Sequence, residues 1–288
     1  MRALIWIAIT AGIATAEPKT VATAAAEPAT IDAAPAQATA AKTSRWIYFR
    51  AGVVHIAPLS SSREMELADV DGAASLALEN GPIAGSGSTV SSATVPGAIV
   101  GIVLPWMQRR LSIEGVIGVP FTVKFEATGT LATESIAPTA LGIPTGVGPL
   151  GPELGEAKAI PIVLTLVYAP LGTGRRIVPL VGAGPAIMFT SGSRITNTTL
   201  TEVGDPRFDI APAPGIVLQG GLDIAIYKGV KARIDIKYIA AMLARAEVEH
   251  VQVRTPGLPL FDTVEVGTAK MSVWVNPLVV QLGVGADF

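Results

Sequence analysis

The sequence predicts an all-β fold: a transmembrane up-and-down antiparallel β-barrel of about eight strands, with short periplasmic turns and long extracellular loops. Three observations carry this expectation. The chain is 50% hydrophobic and 15% charged with a mean hydropathy of +0.51, whereas about a quarter of an ordinary globular chain is charged. Yet nothing beyond the first residues supplies the roughly 18 uninterrupted apolar residues that a spanning helix requires; the greasiest runs, TVPGAIVGIVLPW and AIPIVLTLVYAPL, are short, β-branched and broken by proline. Finally, strand-like runs recur along the chain with connections that are alternately short and long.

Taken in order, residues 1–16, MRALIWIAITAGIATA, combine Arg2, an apolar stretch from Ala3 to Ile13 and the small-x-small site Ala14-Thr15-Ala16. This is the pattern of a secretory signal peptide, which sends the chain out of the cytoplasm and takes no part in the fold. Residues 17–44 are Ala, Pro and Thr with scattered charge and no hydrophobic period. Such a segment buries too little to offset its ordering entropy and reads as a periplasmic linker, disordered or partly extended. The barrel then occupies 45–288.

Eight runs follow, at about 46–58, 94–106, 111–123, 158–170, 175–190, 213–225, 230–245 and 268–288. The connections 107–110, 171–174 and 226–229 are tight, while 59–93, 124–157, 191–212 and 246–267 are long. One end of the meander therefore carries turns and the other carries loops, and an even strand number puts both termini on the turn side. Trp46, Trp106, Tyr168, Tyr227 and Phe288 all fall at that end, as an interfacial aromatic girdle would; a looser set at the other rim would include Phe121, Phe125, Phe189 and Trp274. Closure follows from backbone physics, because an open sheet edge in lipid leaves N–H and C=O groups without partners. Eight strands enclose a narrow interior, which excludes a wide aqueous pore.

Runs six and seven read LQGGLDIAIYKGVKARIDIKYIAA. Even positions such as Leu222, Ile224, Ile234 and Ile236 are apolar; odd positions Gln219, Asp223, Lys231, Arg233, Asp235 and Lys237 are mostly polar. A soluble sandwich would turn the polar parity to solvent; a membrane barrel turns it into the lumen and the apolar parity to lipid. A turn centred on Lys228 places Asp223 opposite Arg233. Arg50 in run one and Glu114 in run three join the same interior by parity. A network of Arg50, Glu114, Asp223, Lys231, Arg233, Asp235 and Lys237 would satisfy its own charges and fix strand register, a role more common for buried polar groups than contact with a transported molecule. In runs four and five both parities are apolar, which suits a greasy ligand path. The terminal VNPLVVQLGVGADF is apolar at every second position back from Phe288, as a closing strand facing lipid would be, and a terminal Phe matches the signal by which barrels are recognised for insertion.

The stretches WIYFRAGVVHIAP, LSIEGVIGVPF, IPIVLTLVYAP, RRIVPLVGAGPAIMF, QGGLDIAIYKGVKARIDIKYI and NPLVVQLGVGADF, in this order, resemble the OmpW family of Gram-negative outer-membrane proteins, over nearly all of 46–288. The resemblance implies an eight-stranded barrel whose narrow, largely hydrophobic channel admits small apolar molecules, with some members linked to hydrocarbon uptake. It also implies outer-membrane lipid, lipopolysaccharide and the barrel-assembly machinery as surroundings. The long linker and the Gly/Pro/Ser-rich loops 59–93 and 124–157 depart from the family pattern.

Other chemistry finds little footing. There is no cysteine, hence no disulfide scaffold or thiolate metal site. His55 and His250 lie near the loop rim without an organised catalytic partner, and no His/Asp/Glu cluster has metal-ligand spacing. GAGPAI lacks the third glycine and the following helix of a nucleotide fingerprint, and GSGSTVSS reads as a flexible loop tip. A net charge of -2 without a basic run gives no nucleic-acid footprint. The expectation is a passive channel for small hydrophobic solutes that needs no cofactor. The alternative is a structural or adhesive barrel with a plugged lumen and partner-binding loops, and a lipid-modifying enzyme stands last.

Overall fold

The computed structural model describes residues 45–258 and 260–288; the signal peptide and linker expected at 1–44 lie outside them. Eight staves close into an antiparallel barrel: β1 Ile47–Ala57, β2 Ala93–Val103, β3 Leu111–Gly118, β4 Glu153–Tyr168, β5 Ile177–Ile195, β6 Ala213–Tyr227, β7 Val230–Ala240 and β8 Leu278–Asp287. Each pairs with its neighbour in chain order, and β8 returns to β1 over Tyr48↔Asp287 to Ala57↔Leu278. Closure leaves the staves no edge in lipid, which is what the backbone requires there. The alternation of the sequence becomes two faces. Val53, Ile117, Ile162, Val181, Leu218, Ile236, Leu282 and Val284 are exposed on the outer wall, and their sequence neighbours Val54, Val163, Leu180, Val217 and Gln281 are buried inside.

The long connections fold. Above the lipid level the chain continues as β-structure: Phe121–Gly129 extends β3, Leu243–Arg254 extends β7, and Thr263–Trp274 leads down into β8. Leu243–Arg254 and Thr263–Trp274 form a hairpin that gathers Arg207–Ile210, Ser61–Ser62, Glu66–Ala68 and Gly81–Pro82 into a six-stranded second sheet. The stretch expected to be a flexible tip is a strand, Ser86–Val90, paired with Phe121–Gly129 and mostly buried. Its small residues serve close approach: a Cβ on Gly87 would lie 2.6 Å from Thr128 Oγ1 and 2.9 Å from Ser62 Oγ. The Ser86 hydroxyl donates to the Ile83 carbonyl at 2.6 Å and accepts from the Met65 N–H at 2.8 Å.

Three interruptions separate barrel from extension, and two of them, in β3 and β7, switch which parity faces inward. In β3 the inward residues are Ser112, Glu114 and Val116; past Val119-Pro120 they are Phe121, Val123 and Phe125. In β7 the switch falls at Ala241, held at φ +58°. Before β8 the strand breaks at Asn276, at φ +36°, beside Pro277, but odd positions stay inward across the break, Met271, Val273 and Val275 above it and Gln281 below. Runs seven and eight are therefore each two strands. The switch also corrects the expected second girdle, since Phe121 and Phe125 are core residues, with Phe125 edge-on to Phe208 at 5.5 Å. Phe189 does face outward.

Candidate functional site: the barrel lumen

The lumen has a charged lower half and an apolar upper half. At the tight-turn end, inward side chains from β1, β3, β6, β7 and β8 meet in one network. Arg233 forks onto its cross-strand neighbour Asp223, with Nε to Oδ1 at 2.7 Å and Nη2 to Oδ2 at 3.1 Å, and its Nη1 reaches Glu114 across the lumen. Arg50 donates to Asp223 at 3.1 Å and to Asp287 at 2.6 Å, and Lys231 pairs with Asp287 at 2.9 Å. Lys237 donates to Asp235 at 2.8 Å. Thus all seven charged residues expected in the lumen lie in this one assembly. With Asp287 it holds four cations and four anions, so it is neutral when fully ionised.

Sequence reasoning overlooked Tyr48, Gln219 and Asp287. The Tyr48 hydroxyl donates to Glu114 at 2.5 Å and lies 2.9 Å from the Ser112 hydroxyl. Its ring stands 5.2 Å from the Arg50 guanidinium carbon and 5.3 Å from that of Arg233, a cation–π position between the two. Room for the ring comes from Gly101 on β2, where a Cβ would fall 2.0 Å from the ring. Gln219 bridges two acids, donating to Glu114 at 2.8 Å and Asp235 at 2.7 Å. Parity marked Gln219 and Asp287 as inward but not as connectors.

These contacts seal the lower lumen. Arg50, Glu114, Arg233, Asp235 and Lys237 are each at most 3% exposed, and Ile99 of β2 with Val167, Val178 and Leu180 of β4 and β5 fills the remaining side of the cylinder. Buried charge is tolerated only where partnered, and every charged group here has a partner.

Above this floor lies a cavity of about 560 Å³, mouth included, whose walls include Ile56, Phe121, Phe125, Met188, Ala213 and Val275. Ser91 and Thr190 are its hydroxyl-bearing residues. A second apolar pocket, about 470 Å³ with its open mouth included, sits in the extracellular extension, among Leu67, Leu131, Leu154, Val251 and Met271. One continuous hydrophobic core joins the two linings. The barrel wall is weakest just below Phe121. Pairing of β3 with β2 stops at Gly118↔Gly97. Pairing with β4 stops at Val116↔Val163 and resumes at Phe121↔Ala159. The residues in this interval include Pro120 and Pro161, neither of which has an N–H to donate. His55 lies on the outer wall with Nδ1 2.8 Å from the Thr94 hydroxyl, and exposed His250 in the extension faces Glu265 at 3.3 Å.

An eight-stranded closed barrel with a lipid-facing apolar wall and a plugged, largely apolar interior defines an integral outer-membrane protein of the small-barrel class. The chain belongs to the OmpW family, whose model matches residues 47–288. Among solved structures it is similar to the outer membrane protein OprG from Pseudomonas aeruginosa, with 20% identity over 85% of this chain and 96% of that one and a TM-score of 0.62. It is also similar to the outer membrane protein AlkL, with 16% identity over 90% and 97% of the two chains and a TM-score of 0.49. The E. coli outer membrane protein W matches with 16% identity over 85% and 98%, at a TM-score of 0.45. A search of curated proteins returns no match. Membership and fold place the protein in the outer membrane as an integral β-barrel.

Proposed function

We propose that the barrel conducts small apolar solutes from the exterior into the outer membrane, passing them through the apolar cavity and out through the wall beside β3. The observation that carries this reading is the contrast between the two halves of the lumen. An apolar molecule gains from entering a cavity lined by Ile56, Phe121, Phe125 and Met188, and gains nothing from displacing paired charges that it cannot replace. The interrupted β3 pairing, next to the cavity wall at Phe121, offers a way out that breaks few backbone hydrogen bonds. Driven by the solute gradient, such passage needs no cofactor and no catalytic residue. The test is uptake of a medium-chain alkane or a terpene by cells with and without the protein. Faster uptake with the protein is expected, and equal rates overturn the proposal.

The sealed floor also suits a second reading, a structural or adhesive barrel whose extracellular sheet binds partners. Equal uptake rates, together with loss of surface attachment on removal of the 59–93 and 124–157 segments, would favour it.

A further inference from the structure

Charge is distributed unevenly along the barrel axis. Arg45, Arg109, Arg110, Arg175, Arg176 and Lys228 all lie at the tight-turn, periplasmic end. Among the described residues the side-chain carboxylate nearest this end is Asp287, which is occupied inside the lumen by Arg50 and Lys231. The opposite end, with its loops and strand extensions, carries sixteen acidic side chains against eight basic ones. Contacts of Arg45, Arg109 and Arg110 also tie neighbouring turns together. Arg110 of the β2–β3 turn donates to the Pro170 carbonyl of the β4–β5 turn at 3.1 Å. Arg109 donates to the Arg45 carbonyl, and the Arg45 guanidinium lies 3.3 Å from where a Cβ on Gly229, in the β6–β7 turn, would stand. Three turns and the start of β1 thus gather basic groups at one end, and such a surface attracts anions.

The level of these groups identifies the anion. The Arg109 guanidinium lies 4.3 Å over the Trp46 ring, and Trp46, Trp106 and Tyr227 are all exposed at the same end. Exposed Trp and Tyr mark the depth of the headgroup region in a membrane barrel. We infer that the periplasmic rim is a binding collar for anionic phospholipid, its guanidinium groups taking the headgroup phosphates of the inner leaflet while the aromatic belt lies against the glycerol and upper acyl region. Guanidinium is suited to this because its donors match the oxygens of a phosphate. The collar would fix the depth and tilt of the barrel, independently of what passes through the lumen.

The experiment is native mass spectrometry of the full barrel released from detergent, with phosphatidylglycerol or phosphatidylcholine added. Preferential retention of phosphatidylglycerol, weakened by salt, is expected. Two variants, Arg109→Gln/Arg110→Gln and Arg175→Gln/Arg176→Gln, should each lower the affinity for phosphatidylglycerol by about fivefold per residue removed. The Arg175/Arg176 pair is exposed in its turn, and the salt dependence of the unaltered protein needs no variant at all. Equal retention of the two lipids, or a preference untouched by both variants, overturns the inference. So does displacement of the lipid by inorganic phosphate at equal concentration, or binding to purified peptidoglycan sacculi in place of lipid.

Discussion

Arg233 holds Asp223 through two parallel hydrogen bonds, 2.7 Å and 3.1 Å long, between directly opposed positions of β6 and β7. The pair is more than a register pin, because Asp223 also carries Arg50 and Arg233 also carries Glu114. Removing the carboxylate in Asp223→Ala strips a partner from two buried guanidinium groups at once. A cost of about 3–5 kcal/mol is expected, since an uncompensated buried charge is far more expensive than a weakened pair. Lys231→Met should cost less, about 1 kcal/mol, because Lys231 is less deeply buried and Asp287 keeps Arg50. Urea unfolding in bilayers, followed by the gel mobility of the folded barrel, ranks the two variants; the opposite order would show that the network does not stabilise the lower lumen.

Filling the upper cavity separates its role from that of the floor. Ala213 and Ala244 line it and are nearly inaccessible, at 2% and 4%, so Ala213→Phe or Ala244→Leu places new atoms in the space a solute would take. Overpacking costs about 1–3 kcal/mol, and a large loss of apolar uptake is expected with assembled protein still present in the membrane. Phe125→Ala acts in the other direction on the same wall. It enlarges the cavity, gives up the edge-to-face contact with Phe208 and should destabilise by about 3–5 kcal/mol. Uptake per assembled barrel, measured beside surface abundance, distinguishes occlusion from misfolding.

The β3 interruption should be visible without any solute. Amide hydrogens of Ile117, Gly118 and Val119 lie where the β3–β4 pairing lapses, whereas Ser112 to Val116 are paired on both sides. Exchange is therefore expected to be faster at 117–119 than at 112–116 within one strand, because local opening costs least where ladder bonds are missing. Replacing Pro120 and Pro161 with valine restores two donors. If these close the ladder, exchange at 117–119 slows and apolar uptake falls with it; uniform exchange along β3 would remove the wall opening from the mechanism.

The barrel was legible because lipid imposes a strict rule: alternate residues face hydrocarbon, and tight turns differ in length from loops. Leu218, Ile236 and Leu282 show their outward parity in the bare sequence, and Asp223 and Arg233 find each other once the β6–β7 turn is placed. The extension was not legible, because its strands are short, small-residue rich and paired with partners distant in sequence. Ser86–Val90 lies against Phe121–Gly129, roughly forty residues on. Nor could parity alone place Phe121, since a Val-Pro step between paired segments silently exchanges inside for outside. Tyr48 escaped for a related reason. A tyrosine beside an aromatic girdle reads as interfacial, and only Gly101 across β1–β2 makes room for its ring inside.

The terminal Phe288 divides into a backbone role and a side-chain role that can be tested apart. Its N–H donates to the Ile47 carbonyl at 2.7 Å and its main-chain oxygen accepts from the Trp46 N–H at 2.7 Å, so Phe288 extends the β8–β1 seam. The ring takes little part in that seam and is 68% exposed at the periplasmic end. Phe288→Ala keeps both backbone bonds and removes only the ring. If the ring is an insertion signal read during assembly, Phe288→Ala lowers the amount of barrel in the outer membrane several-fold while the assembled fraction unfolds at nearly the same urea concentration as the unaltered protein. Deleting residue 288 altogether also removes the seam bonds, and should lower stability as well, by about 1–2 kcal/mol for two backbone hydrogen bonds. Surface abundance and unfolding midpoint, measured on both variants, separate the two roles. Undiminished abundance of Phe288→Ala would leave the ring with no function beyond its contact with lipid.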